Sequence, residues 1–171
     1  IGLIFFVILS FLNYNIFSSY AYFFYIFIGL LLIAVLLIGV TYKGTTGWLE
    51  LYGFNFQPVE LAKLSLLVIL AKLFSNRLPQ ESELKFILKT GSLTLIYFIL
   101  VLFQPDFGSA IVLFVIWVSF LIFSRIRKVY LLSLLGIILI GLVIGWFFLF
   151  QDYQKARITT FFNPTVDHLG R

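Results

Sequence analysis

Between Phe86 and Phe123 the chain runs for 38 residues of dominantly apolar sequence, with one strong helix break, Gln104-Pro105-Asp106-Phe107-Gly108. As a single helix this stretch would measure about 57 Å, nearly twice the roughly 30 Å thickness of a hydrocarbon layer. It therefore folds back on itself. The break is where a proline removes an amide donor and restricts the residue before it. Each arm is then only just long enough to cross a bilayer, which sets the break at or slightly below a membrane surface.

The rest of the chain has the same character. Of its 171 residues 62% are hydrophobic and 11% charged, against roughly 45–50% and about 25% in soluble domains. A water-soluble fold would leave most of those side chains exposed, whereas a bilayer asks only that backbone polar groups be paired internally. The expected class is all-α, a polytopic transmembrane helix bundle in one integral-membrane domain. Six apolar blocks, approximately 1–12, 20–41, 58–75, 86–103, 107–124 and 129–150, read as spans. Ile1 lies already inside an apolar run with no basic segment before it, so the first block reads as the remainder of a span rather than a signal peptide, and the chain as a fragment. There is no cysteine, which excludes disulfides and thiolate metal sites.

Alternating sides along the six blocks places Lys72, Arg77, Lys85, Lys89, Arg125, Arg127 and Lys128 on one side, and Lys43, Lys155, Arg157 and Arg171 on the other. The positive-inside bias makes the first side cytoplasmic. Loop 42–57, the Gln104–Gly108 break and segment 151–171 then face outward together. The net charge of +5 follows largely from this bias, and no basic stripe with interleaved aromatics suggests nucleic acid.

Two groups of polar residues on the outward side can carry chemistry. In Gln57-Pro58-Val59-Glu60-Leu61-Ala62-Lys63, Pro58 suits the first helical position. Glu60 then falls in the first turn, with Lys63 on the same face at i,i+3. A first-turn carboxylate is also stabilised by the helix dipole alone, and Lys63 can snorkel outward, but a charged pair inside a span is costly and usually marks a site. In Gln104-Pro105-Asp106, Asp106 reads equally as the N-cap of the following helix and as a second carboxylate facing Glu60 and Lys63. Lys155 and Arg157 read either as ligands for anionic groups or as interfacial anchors. His168 stands alone in the tail, and no residue set marks a metal site.

These segments resemble the SEDS family (shape, elongation, division and sporulation) of bacterial cell-wall polymerases. The resemblance rests on Gly44-Thr45-Thr46-Gly47-Trp48-Leu49-Glu50-Leu51-Tyr52-Gly53, on Phe56-Gln57-Pro58-Val59-Glu60-Leu61-Ala62-Lys63 and on Gln104-Pro105-Asp106-Phe107-Gly108-Ser109-Ala110. The tail, with Asp152-Tyr153-Gln154-Lys155-Ala156-Arg157 and Asn163-Pro164-Thr165-Val166-Asp167-His168, is more similar to the RodA (elongation) branch than to the FtsW (division) branch. The family usually has Arg where Gly47 stands, Ser where Val59 stands, and Leu-Gly-Thr in place of Phe107-Gly108-Ser109. The missing Arg removes one phosphate contact from the 42–57 loop.

The resemblance implies the central part of a protein of roughly ten spans in the bacterial cytoplasmic membrane, which polymerises lipid II, an undecaprenyl diphosphate-linked substrate, into glycan strands on the outer face. It implies Asp106 as an accessory catalytic carboxylate and Glu60 with Lys63 as a catalytic pair. Gln57, Gln104, Lys155 and Arg157 are the expected substrate contacts. A divalent cation, Mg or Mn, is compatible with a departing diphosphate, and a class B penicillin-binding transpeptidase is the expected partner. The favoured base of the family lies in a loop beyond Arg171, so the fragment is expected to be inactive alone. A lipid II flippase, a division-type polymerase and a scaffold for the transpeptidase are the alternatives.

Overall fold

The computed structural model describes residues 14–42, 45–51, 54–124 and 126–144. The chain divides into two compact units, residues 1–126 and 127–171. In the first, helix α1 (Tyr14–Ile38) leads into three short strands, β1 (Val40–Tyr42), β2 (Thr45–Leu51) and β3 (Phe54–Phe56), followed by helices α2 (Pro58–Ser75), α3 (Glu83–Phe103) and α4 (Phe107–Phe123). In the second unit the described element is helix α5 (Lys128–Ile144). The chain is thus mostly helical. Two of its helices, over Phe17–Ile38 and Glu83–Phe103, are long and apolar enough to cross a membrane, while α4 is a shorter apolar helix. Block 1–12 and segment 145–171 lie outside the described residues.

The all-α expectation needs one correction. The segment read as an outer loop, 42–57, overlaps a three-stranded antiparallel sheet in the order β1-β2-β3. Val40 pairs with Trp48 and Tyr42 with Thr45, with a register irregularity between them, and Leu49, Glu50 and Leu51 pair with Phe56, Asn55 and Phe54. Three runs rich in Val, Thr, Trp, Tyr and Phe, separated by Lys43-Gly44 and Tyr52-Gly53, carry the β-hairpin pattern. Pairing also satisfies backbone groups at the edge of an apolar protein, which an irregular loop would leave to water. Gly39 makes the join possible. A Cβ there would lie 2.3 Å from the Val35 carbonyl oxygen, a backbone atom that cannot swing away.

The fold-back is where the apolar run length requires it. Helix α3 ends at Phe103, the amides of Gln104 and Asp106 both return to the Val101 carbonyl, and α4 starts at Phe107. At its other end α3 begins at Glu83, with Ser82 as the residue before it and Glu83 in the first turn, so the helix takes in polar residues ahead of the apolar block. Helix α2 begins with Pro58 at its first position, where the missing amide costs no helical hydrogen bond.

Two polar devices fix the helix packing. Tyr97 on α3 donates to the Tyr25 carbonyl on α1 at 2.6 Å and lies 3.0 Å from Ser65 Oγ on α2, while Tyr25 donates to the Leu93 carbonyl at 2.7 Å. Their rings stack with centroids 4.4 Å apart. Trp117 on α4 donates to Thr90 Oγ1 on α3 at 3.0 Å, with its ring against Gly91. The remaining outward faces are apolar, including Phe23, Leu30, Leu37, Ile111 and Ile122. That is the pattern of helices surrounded by hydrocarbon rather than water.

Candidate functional site

The polar residues gather where α2 and α4 begin and α3 ends. Asp106 caps α4, with Oδ1 accepting the Ser109 amide at 3.1 Å. Its other oxygen, Oδ2, faces Gln57, whose Nε2 donates across 3.4 Å from the residue preceding α2. The capping role and the site role are compatible because they use different oxygens of one carboxylate. Capping in fact aims the second oxygen, since it locks the carboxylate against the first turn of α4.

Gln104 joins this group to the rest of the fold. Its side chain is fully buried, with Nε2 donating 3.1 Å to the Leu32 carbonyl inside α1. Its own backbone carbonyl accepts the Thr46 amide of β2 at 3.2 Å. The amide orientation follows from this environment, because the opposite flip would set two carbonyl oxygens against each other. Oε1 then has no hydrogen-bond partner among the described residues. It points toward buried Gly47, where an added Cβ would sit 3.5 Å from Gln104 Oε1 and 3.8 Å from Gln57 Nε2. Gly47 on β2 therefore lies beside both amide groups, at ordinary van der Waals distance.

Glu60 and Lys63 form an ion pair at 2.7 Å, one turn apart on α2. The Lys63 side chain is 21% exposed and Glu60 61%. Lys63 therefore runs along the helix and meets its partner toward the surface, as snorkelling predicts. Among the described residues this pair makes no hydrogen bond or ion pair with Asp106, so the three charges form two neighbouring groups rather than one cluster. Beside the pair, an apolar groove of about 250 Å³ between α1 and α2 is lined by Phe24, Phe27, Leu61, Leu64 and Val68 among others.

The structure thus joins Gln57, Gln104 and Asp106 to the β-sheet and places Glu60 and Lys63 on the adjoining turn of α2. Lys155, Arg157 and His168 lie outside the described residues. Sequence reading took Gln104 as a substrate contact and missed its structural bond to Leu32, for which no local signal exists. No group of three or more His, Cys, Asp or Glu side chains assembles among the described residues. Asp106 and Glu60 are separately engaged, so a divalent cation held here would take one carboxylate at a time, with waters and a substrate diphosphate completing its shell.

A family model described as "Cell cycle protein", covering FtsW, RodA and SpoVE, matches residues 1–171. The chain is 34% identical over 179 residues to the peptidoglycan glycosyltransferase MrdB of Escherichia coli, an alignment covering 99% of this chain and 45% of that protein. It is 35% identical over 144 residues to the probable peptidoglycan glycosyltransferase FtsW of Aeromonas salmonicida, covering 82% and 36%. Among solved structures, a chain of a peptidoglycan synthase complex that coordinates polymerization and crosslinking superposes with a TM-score of 0.78 at 35% identity, over 99% of this chain and 50% of that one. The rod shape determining protein RodA of Thermus thermophilus gives 0.61 at 33%, over 81% and 46%. The chain spans half the length of these relatives or less.

Proposed function

We infer a function from one premise: this chain belongs to the FtsW/RodA/SpoVE family of cell cycle proteins, whose model matches residues 1–171. It is a portion of a bacterial inner-membrane peptidoglycan glycosyltransferase of the elongation type, carrying six of roughly ten spans, and its substrate is lipid II. The observation that carries this reading is the meeting of Gln57, Gln104 and Asp106 at one end of α2, α3 and α4, in a chain similar along 99% of its length to a peptidoglycan glycosyltransferase. That end faces the outside of the cell.

In the reaction the 4-hydroxyl of an acceptor sugar attacks the anomeric carbon of the growing strand. The carbon–oxygen bond to undecaprenyl diphosphate breaks, and the hydroxyl proton passes to a general base. None of the described residues is assigned as that base, and the activity is proposed for the full-length protein. The described residues supply the membrane-side floor. Asp106, held by its cap, presents one carboxylate oxygen to the reacting sugars or to the base. Gln57 offers a neutral donor and acceptor for sugar hydroxyls, while Gln104, fully buried and bonded to the Leu32 carbonyl, is a positioning residue rather than the substrate contact expected from sequence. Lys63 supplies positive charge near the departing diphosphate, beside an apolar groove suited to a lipid tail. Lys155 and Arg157 contribute further cationic contacts from the tail. A class B penicillin-binding transpeptidase is the partner, in keeping with the synthase complex that the chain resembles.

The test supplies purified full-length protein with lipid II in detergent, where there is no bilayer to cross. Polymerised glycan is the expected product, and a pure flippase would yield none. Glu60→Gln and Lys63→Met should each reduce polymer at unchanged protein yield. Full activity in both would favour a scaffold and overturn these assignments.

A further inference from the structure

At the opposite end of α2, α3 and α4 from the polar floor, the helices close around an aromatic cluster. The Phe74 ring lies 4.8 Å from buried Phe86, edge to face, and 5.3 Å from Phe120. Arg77, just past the end of α2, sets its guanidinium 4.9 Å from the centroid of the Phe86 ring. Below it opens a niche of about 350 Å³ lined by Phe74, Arg77, Phe120, Phe123 and Ser124. Phe123, at its rim, is 89% exposed.

The guanidinium has no hydrogen-bond or carboxylate partner among the described residues. Glu81 in the same connection pairs instead with Lys89 at 3.8 Å. The neighbouring cation, Lys72, is turned onto the Tyr22 ring of α1 at 4.8 Å. Ser124 donates its hydroxyl proton to the Leu121 carbonyl at 2.7 Å, so that proton is already committed within the chain. Arg77 is therefore restrained over an aromatic face with its planar fork of N–H donors unfilled, the arrangement that recognises phosphate in two-pronged fashion. A free phosphate has no use for three phenylalanine walls, and an apolar tail alone has no use for the guanidinium. The pairing of the two fits one molecule with both ends.

We propose that the niche of Phe74, Arg77, Phe120 and Phe123 is a binding site for one anionic glycerophospholipid, its phosphate on Arg77 and an acyl chain along Phe120 and Phe123. Charge supports the choice, since Lys72, Lys85 and Lys89 join Arg77 at this end of the helices against Glu81 and Glu83, which leaves it cationic, and anionic leaflets attract such groups. The site is a helix length, about 27 Å, from Asp106. It rests on the chain's membrane location and not on its polymerase chemistry.

The test uses full-length protein in nanodiscs of equimolar phosphatidylglycerol and phosphatidylcholine, followed by transfer to mild detergent and native mass spectrometry. The expected result is one phosphatidylglycerol retained in preference to phosphatidylcholine. Arg77→Gln should weaken that retention about fivefold, the contribution of one cation near an anionic surface. Phe123→Ala should shorten lipid residence while keeping the headgroup preference. Equal retention of both lipids, or no change in either variant, overturns the proposal. Displacement of the lipid by millimolar glycerol phosphate would also overturn it, in favour of a free phosphate site. A carboxylate peptide surviving at Arg77 in place of lipid would assign the niche to a protein partner and count against it. Should Arg77→Gln fail to fold, Arg77→Lys keeps the charge but loses the fork, and unchanged retention with Phe123→Ala still refutes the site. Polymer synthesis in detergent should be unaffected by Arg77→Gln, and its failure in the unmutated protein would strike the glycosyltransferase reading alone.

Discussion

Asp106 offers the sharpest separation of a structural from a chemical role, because its two oxygens are spent differently. Oδ1 accepts the Ser109 amide at 3.1 Å and Oδ2 faces Gln57 at 3.4 Å. Asn keeps an oxygen for the cap and ranks with Asp as a capping residue, so Asp106→Asn should cost less than about 0.5 kcal/mol in stability. Asp106→Ala removes the cap and should cost about 1 kcal/mol. If Asp106 is only a cap, polymer output should follow this stability order. If its charge acts on the reaction, both variants should lose activity alike, by about 100-fold or more, the scale of a lost acid–base or electrostatic contribution. The assay pairs glycan polymerisation by full-length protein in detergent with unfolding monitored by circular dichroism on the same preparations. Asp106→Asn retaining activity within tenfold of the unmutated protein would refute the chemical role. An Asn variant as destabilised as Ala would refute the capping geometry.

Tyr97→Phe should cost about 1 kcal/mol in detergent-based unfolding. It removes the hydrogen bond to the Tyr25 carbonyl and the 3.0 Å contact with Ser65, whose single hydroxyl proton can go to the Ala62 carbonyl, so no buried hydroxyl is left without a partner. Gly91→Ala places a Cβ 2.9 Å from Trp117 Cζ2, which should displace the indole from Thr90, cost about 1–3 kcal/mol and shift the tryptophan emission. Gln104→Met gives up the bond to Leu32 but also deletes a buried oxygen that has no hydrogen-bond partner among the described residues. The two effects oppose each other, so thermal stability should fall by less than about 1 kcal/mol, while polymer output falls with the lost amide. A destabilisation above about 3 kcal/mol would show that Oε1 is satisfied in the working protein.

Much of this protein was legible in its sequence because the deciding signals are local. The length of the apolar run against the rise of a helix, with Pro105 as its one break, determined that α3 and α4 fold back near Gln104. Pro58 and Asp106 marked helix starts by the chemistry of the first turn, and spacing alone predicted the Glu60–Lys63 pair found at 2.7 Å. The hairpin signal in residues 40–56 was present too, but apolar block length outweighed short strand runs and hid it. What only the tertiary structure decided is which group each polar residue meets across the fold. Gln104 binds a carbonyl 72 positions away, Gln57 turns to Asp106 rather than to its own helix, and Asp106 stands apart from Glu60 and Lys63. Those outcomes depend on how closely α1, the sheet and the helix ends approach. That approach is set by packing at Gly39, Gly91 and the Tyr25–Tyr97 stack, and a pattern along one segment carries no record of the surface it will meet.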